Sequence, residues 1–381
     1  MLIIMKKRIK IVSIAIAFTL LIISYIIFDN KDNIRTYKQD GITYALKVDG
    51  ASVTSFPAKG LYRVSVTCEN AKGKWLYDEW KLTLENITGD VSCDLDFITV
   101  SKTNLNDYVI SLAGSTQGTG QVVNEKGYRY EGKNPNNYVW FNDELWRIIG
   151  VFDSASHGVS GKYLVKIIRA DTLDGLAWHK SNTNDWTAAS LNKLLNGEYY
   201  NAQDGTDTGY CYGYSTSMTI NCDYTQKGIQ AGYRSMIANV TWYLGGYSSN
   251  SATTEAFYGY ERGTTVYSGR PTSTTGYIGL MYPSDYGYSV LSTSCTRTTN
   301  LGSYNKASCG GQSWLYGKGY EWTLSPYSSS SYYVFYLLYN GSLGNNYANY
   351  GYGHRPVLYL DSSVYKIDGD GSVGNPYIIG M

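Results

Sequence analysis

Apolar residues along this chain come in short bursts separated by runs of Tyr, Ser, Asn, Thr and Gly, a spacing that predicts many brief β-strands and few helices. Strand-like runs at residues 43–48, 61–67, 80–84 and 91–98, divided by turn residues such as Lys72-Gly-Lys74 and Thr88-Gly-Asp90, predict a small antiparallel β-sandwich over residues 42–100. Cys68 and Cys93 fall in two of its strands, where a disulfide would help so small a module to stand alone. Residues 101–125, with Ala113-Gly-Ser-Thr-Gln-Gly-Thr-Gly120, have the composition of a linker. A second domain is expected over residues 126–381. It opens with a hairpin of residues 138–141 and 145–152 around Asn142-Asp143-Glu144, and a third strand follows at 163–169. A helix is predicted at 187–196, with Thr187 as cap, Leu191, Leu194 and Leu195 on one side and Gly197 to end it; a second is expected around 226–239. Residues 245–313 read as long ordered loops with one strand at 276–281, and residues 364–379 as a closing hairpin that turns at Asp368-Gly-Asp-Gly371.

The N-terminus has a different pattern. Lys6, Lys7, Arg8 and Lys10 lie in a basic segment, residues 1–10, ahead of an uncharged apolar run at residues 11–28. That run is at the short end of the roughly 17–25 residues a membrane-spanning helix needs. The expectation is a single-pass transmembrane anchor with a cytoplasmic N-terminus, followed by a polar stalk at 29–41 and extracellular domains. The competing reading is a cleaved signal peptide with Ala15-Ile-Ala17 as its site, although the apolar run continues well beyond it.

The C-terminal run at residues 319–360 organises the rest. Its apolar bursts (Trp322, Leu324, Val334, Phe335, Leu337, Leu338, Val357, Leu358, Leu360) alternate with Tyr, Ser, Asn and Gly. Tyr offers a stiff amphipathic contact area at low entropy cost and Ser, Asn and Gly adaptable hydrogen bonding, the mixture that antibody paratopes use. The residues expected to be displayed for ligand binding are Tyr327, Tyr333, Asn340, Asn345, Asn346, Tyr347, Asn349, Tyr350 and Tyr352. Tyr faces stack on sugars and Asn amides pair with hydroxyls, so an extracellular protein or a glycan would suit. The alternative is a Tyr-rich solvated β-surface with no ligand.

Trp314, Trp322-Thr-Leu-Ser-Pro326, Asn340-Gly-Ser342 and Gly353-His-Arg-Pro-Val-Leu358 resemble the C-terminal part of bacterial surface proteins with a C-type-lectin-like fold. These are related to the variable proteins of diversity-generating retroelements and, more distantly, to formylglycine-generating enzymes. The resemblance covers roughly residues 128–381. It implies a C-type-lectin-like domain, and with the small all-β sandwich and the N-terminal transmembrane helix read from the pattern ahead of it the expected class is α+β. It also implies that Asn, Tyr and Ser positions on a fixed frame form the binding surface.

Composition narrows the chemistry. The 381 residues include 40 Tyr, 41 Gly and only 7 Pro, and the formal net charge of +1 leaves no footprint for nucleic acid. The 6 Cys form three sequence-local pairs, Cys68 with Cys93, Cys211 with Cys222 and Cys295 with Cys309, which locality favours as disulfides of an oxidising compartment. No C-x-x-C is present and His157, His179 and His354 are scattered, so neither a metal nor another cofactor is implied. Nucleophile elbow, P-loop and H-E-x-x-H motifs are missing. The G-x-G-x-x-G string at 369–374 runs into Asn375-Pro376 where a helix should start. Asp368, Asp370 and Ser372 lack the distal Glu of a calcium loop. The enzyme reading, a formylglycine-generating-type oxidase, would rest on Cys295 and Cys309 as reactive thiols. Arg355, entering the last core strand beside Pro356, reads as a structural hydrogen-bond fork, and Trp314 and Trp322 as core anchors. The resulting expectation is a surface-displayed binding protein rather than an enzyme; the alternatives are a purely structural or adhesin-like envelope protein and the oxidase.

Overall fold

The computed structural model describes residues 26–28, 35–39 and 42–381, apart from Asp78, residues 215–219, Ser294 and Lys318. Among the described residues strand, at 39%, far outweighs helix, at 15%, so the α+β expectation is corrected to a mostly β chain. The cause lies in the composition: Tyr, of which the chain has 40, together with Val, Ile and Thr favours extended backbone. The chain divides after Lys102 into two compact units.

In the first unit the expected membrane helix is not upheld. Ile26–Phe28 is a strand, antiparallel to Arg35–Gln39 with Ile26 opposite Tyr37, and no helix among the described residues is long and apolar enough to cross a membrane. Residues 11–25 of that expectation lie outside the described residues. β-Branched and aromatic residues such as Ile26, Ile27 and Phe28 suit a strand as well as an apolar helix, which is why hydropathy alone misled. The single-pass membrane localisation that rested on this span is corrected with it. The stalk at 29–41 is corrected as well, since Arg35–Gln39 continues the sheet onto Ile42–Val48.

That sheet runs Ile26–Phe28, Arg35–Gln39, Ile42–Val48, Val91–Thr99, Tyr62–Glu69, and a separate hairpin of Lys72–Leu76 and Lys81–Glu85 supplies the second layer. The sandwich was expected to be antiparallel; one central pair, Ile42–Val48 with Val91–Thr99, is parallel. Phe97 is the hub of the core, with the ring of Trp75 edge-on at 5.0 Å and those of Tyr62 and Phe56 at 6.0 and 6.1 Å. Cys68 stands directly opposite Cys93 in the ladder and is bonded to it. Gly73 packs so closely over this pair that a Cβ would lie 2.6 Å from the Cys68 sulfur, so only glycine fits.

The second unit is built on an eleven-stranded sheet. The predicted hairpin is present as Tyr138–Phe141 and Glu144–Phe152, and its two turn residues, Asn142 (φ 56°) and Asp143 (φ 57°), both take the left-handed conformation of a type I′ turn. Leu164–Arg169 pairs with the second hairpin strand, and Val357–Leu360 lies between it and Ile278–Gly279. Trp146, Ile148, Ile167, Ile168, Val357 and Leu358 are wholly buried along this ladder. The closing strands Tyr365–Asp368 and Tyr377–Gly380 return to the start of the unit, the first antiparallel to Thr103–Asn104, the second parallel to Tyr138–Phe141.

Several boundaries differ from expectation for local reasons. Residues 101–125 are no linker: Leu105–Ser111 is a helix that buries Leu105 and Val109, and Gly120–Asn124 is a strand that buries Val122. The predicted helix at 187–196 starts later, at Ser190, because Asp185 takes the amide and hydroxyl of Thr187 into a turn (3.0 and 2.6 Å). It then runs through a π-helical segment, Leu195–Tyr199, with Gly197 inside it. Only the 3₁₀ turn Ala231–Met236 forms within 226–239. The expected loops at 245–313 contain two helices, Thr254–Glu261 and the fully buried Pro283–Ser289.

Candidate binding surface

Most of the residues singled out for display lie on a second, five-stranded sheet ordered Leu173–Ala177, Gly351–His354, Glu321–Pro326, Tyr333–Leu337, Leu343–Tyr347. Alternation along a strand sends neighbouring side chains to opposite faces. Phe335 turns to the core, its ring 5.2 Å from that of Phe257. Tyr333 shares that face, opposite Tyr347 in the ladder, and Asn345 stands opposite Phe335 itself. Tyr336 faces the other way, onto the wholly buried Trp322 (5.9 Å) and stacked on Tyr352 (4.8 Å).

The tyrosines form a continuous row. From one end, Tyr339 meets Tyr320 (5.5 Å), Tyr320 meets Tyr352 (5.2 Å), and Tyr352 meets Tyr350 (6.1 Å). Tyr350 then meets Tyr347 (6.0 Å), which stacks on Tyr332 (5.3 Å) and lies 4.8 Å from Tyr333. Tyr327 closes the row 6.1 Å from Tyr333. Four rings keep a substantial solvent face: Tyr339 at 60%, Tyr320 at 42%, Tyr332 at 38% and Tyr347 at 36%. Tyr352, Tyr350, Tyr333 and Tyr327 are half-buried supports behind them.

The amides have less uniform roles. The Asn346 side chain donates to the Tyr352 hydroxyl at 2.6 Å and accepts from the Tyr347 amide at 2.8 Å, fixing two members of the row. Asn340 accepts from the amide and hydroxyl of Ser342 (3.1 and 2.8 Å), so it shapes the turn between two strands. Asn345 is half-buried on the core-facing side, and the Asn349 carbonyl oxygen is buried without a partner. Of the nine residues expected in the surface, Tyr327, Tyr333, Tyr347, Tyr350, Tyr352 and Asn346 are brought together; Asn340, Asn345 and Asn349 are scaffold neighbours.

Rigid supports lie beneath the row. Asn184, 2% exposed, donates one amide to the carbonyl oxygens of Tyr327, Ser330 and Tyr333 (3.1, 2.7 and 3.0 Å), pinning the turn that carries Tyr332. Trp322 Nε1 donates to the Leu176 carbonyl at 2.9 Å. Arg355 forks onto Glu321 (Nε to Oε1 2.6 Å, Nη2 to Oε2 2.9 Å) and donates to the Leu315 carbonyl at 2.6 Å, which is the structural role expected of it.

Three phenols of the row, Tyr333, Tyr350 and Tyr352, are held above the ordinary tyrosine range. A hydrogen bond to Tyr347 pushes the Tyr333 phenol up to about 12, and burial together with Tyr336 pushes Tyr352 up to about 12. The bond to Tyr214 raises Tyr350, and burial holds the His354 imidazole down at about 4, hence neutral.

Sequence reasoning missed Tyr320, Tyr332, Tyr336 and Tyr339, although they share the composition of the segment that drew attention. Tyr214, 4.9 Å from Tyr350, comes from a distant loop and carries no local signal. All three expected disulfides are present, Cys68 to Cys93, Cys211 to Cys222 and Cys295 to Cys309. The last pair is buried as well as bonded. No family model, curated protein or solved structure matches the chain.

Proposed function

We propose that the second unit is a recognition module whose row of tyrosines, from Tyr339 through Tyr352 and Tyr347 to Tyr332, binds an extracellular protein or glycan on a lectin-like frame. The observation that carries this reading is the row itself, in which four solvent-facing rings rest on half-buried tyrosines fixed by Asn346, Asn184 and Trp322. An aromatic surface held in place in advance loses little conformational entropy on binding, which favours affinity. Three disulfides suit an oxidising environment, where such a ligand would be met. The resemblance of the C-terminal motifs to lectin-like surface proteins points in the same direction.

The test is a combined glycan and protein array probed with the chain from residue 26 onward. Saturable binding to one ligand class is the expected result, and binding at or below that of an unrelated disulfide-bonded β-protein would favour the structural, ligand-free reading.

A further inference from the structure

Lys166, in the Leu164–Arg169 strand, and Asp285, in the Pro283–Ser289 helix, meet in the interior of the second unit with Nζ 2.5 Å from Oδ2. Both side chains are essentially without solvent contact. The ammonium is enclosed by the rings of Tyr282, Tyr359, Trp242 and Phe152, at 4.4 to 5.8 Å from their centroids. Asp285 Oδ1 accepts from Arg129 Nη1 at 3.0 Å. A second fully buried carboxyl, Glu261, accepts from the amide (2.8 Å) and hydroxyl (2.5 Å) of Ser284, the residue before Asp285, and is paired with Arg262 Nη1 at 3.1 Å. An ion pair placed so far from water keeps a large desolvation cost, which conversion to a neutral group of the same shape would remove.

We propose that Lys166 and Asp285 are joined by an intramolecular isopeptide bond. Nζ, as the free amine, attacks Cγ of Asp285; the Nζ–Cγ bond forms and the Cγ–Oδ2 bond breaks. Oδ2 leaves as water, taking two of the three ammonium hydrogens, and the third stays on the amide nitrogen. Ammonium and carboxylate thus give amide and water, with no oxidant or other co-reactant. Arg129 Nη1 is already on Oδ1, where negative charge develops in the tetrahedral intermediate. Burial pushes the Lys166 ammonium down to about 8, which brings the free amine within reach near neutral pH. The product ties the central sheet covalently to a helix 119 residues further along the chain.

The measurement is the intact mass of the full chain after denaturation and reduction, followed by peptide mapping. The expected chain is lighter than its sequence by one water, with the Lys166 and Asp285 peptides recovered as one species. Lys166→Arg keeps a cation against Asp285 but cannot form the amide; it is expected at full mass and with a lower thermal midpoint. Wild-type protein with its disulfides formed but at full mass, or a water loss that maps elsewhere, overturns the bond itself.

Discussion

Trp322→Ala is expected to destabilise the second unit by about 3–5 kcal/mol, the usual cost of truncating a buried aromatic. The side chain has no solvent exposure, supports Tyr352 at 4.8 Å and Tyr336 at 5.9 Å, and gives its only N–H to the Leu176 carbonyl. Removal leaves a cavity under the tyrosine row and an acceptor without its donor, two separate costs. Urea denaturation followed by tryptophan fluorescence and far-UV circular dichroism measures the change. A loss below about 1 kcal/mol would place Trp322 outside the core that this account gives it.

Arg355→Ala is expected to cost a similar 3–5 kcal/mol or so, by a different route: it strands the Glu321 carboxylate, 2% exposed, without its counter-ion. The Leu315 carbonyl loses a donor as well. Because the pair is buried, the loss measured by urea denaturation should barely change between low and high salt, whereas an exposed pair would be screened. Arg355→Lys should recover only part of it, since a single ammonium cannot reproduce the two-pronged contact with Glu321. Equal stability of Lys and Arg at this position would contradict the fork.

Both residues were legible as scaffold from the sequence, because an aromatic inside an apolar burst and an Arg at a strand entrance have few other uses. Period-two patterning and turn chemistry were equally readable: Asn142 and Asp143 specify their turn by tolerating positive φ, and the three cysteine pairs follow from closeness along the chain. What failed shared a physical cause, namely that tertiary contacts decided among local options. Ile26–Phe28 is apolar enough for a membrane helix and β-branched enough for a strand, and pairing with Arg35–Gln39 settles it. The Gly-rich stretch at 113–120 reads as a linker until the Val122 strand and the Leu105–Ser111 helix beside it are buried. Pro283–Ser289 has no amphipathic period because every one of its residues is inside. For the binding surface, composition found the right segment but not which rings stay open: alternation divides Tyr333, Asn345 and Tyr347 from Tyr336 and Asn346, and the row draws on both sets.

The central claim is that the exposed rings of the tyrosine row make the binding contact. The most direct measurement replaces Tyr320, Tyr339 and Tyr347 together by Ala and titrates the variant against the ligand found on the array, with near-UV circular dichroism and a thermal melt on the same sample. These rings sit on top of the frame, so folding should be retained with a stability change of roughly 1 kcal/mol or less, while affinity falls at least about 100-fold, as for the loss of central aromatic contacts in an interface. A folded triple variant that binds as tightly as the wild type would contradict the claim.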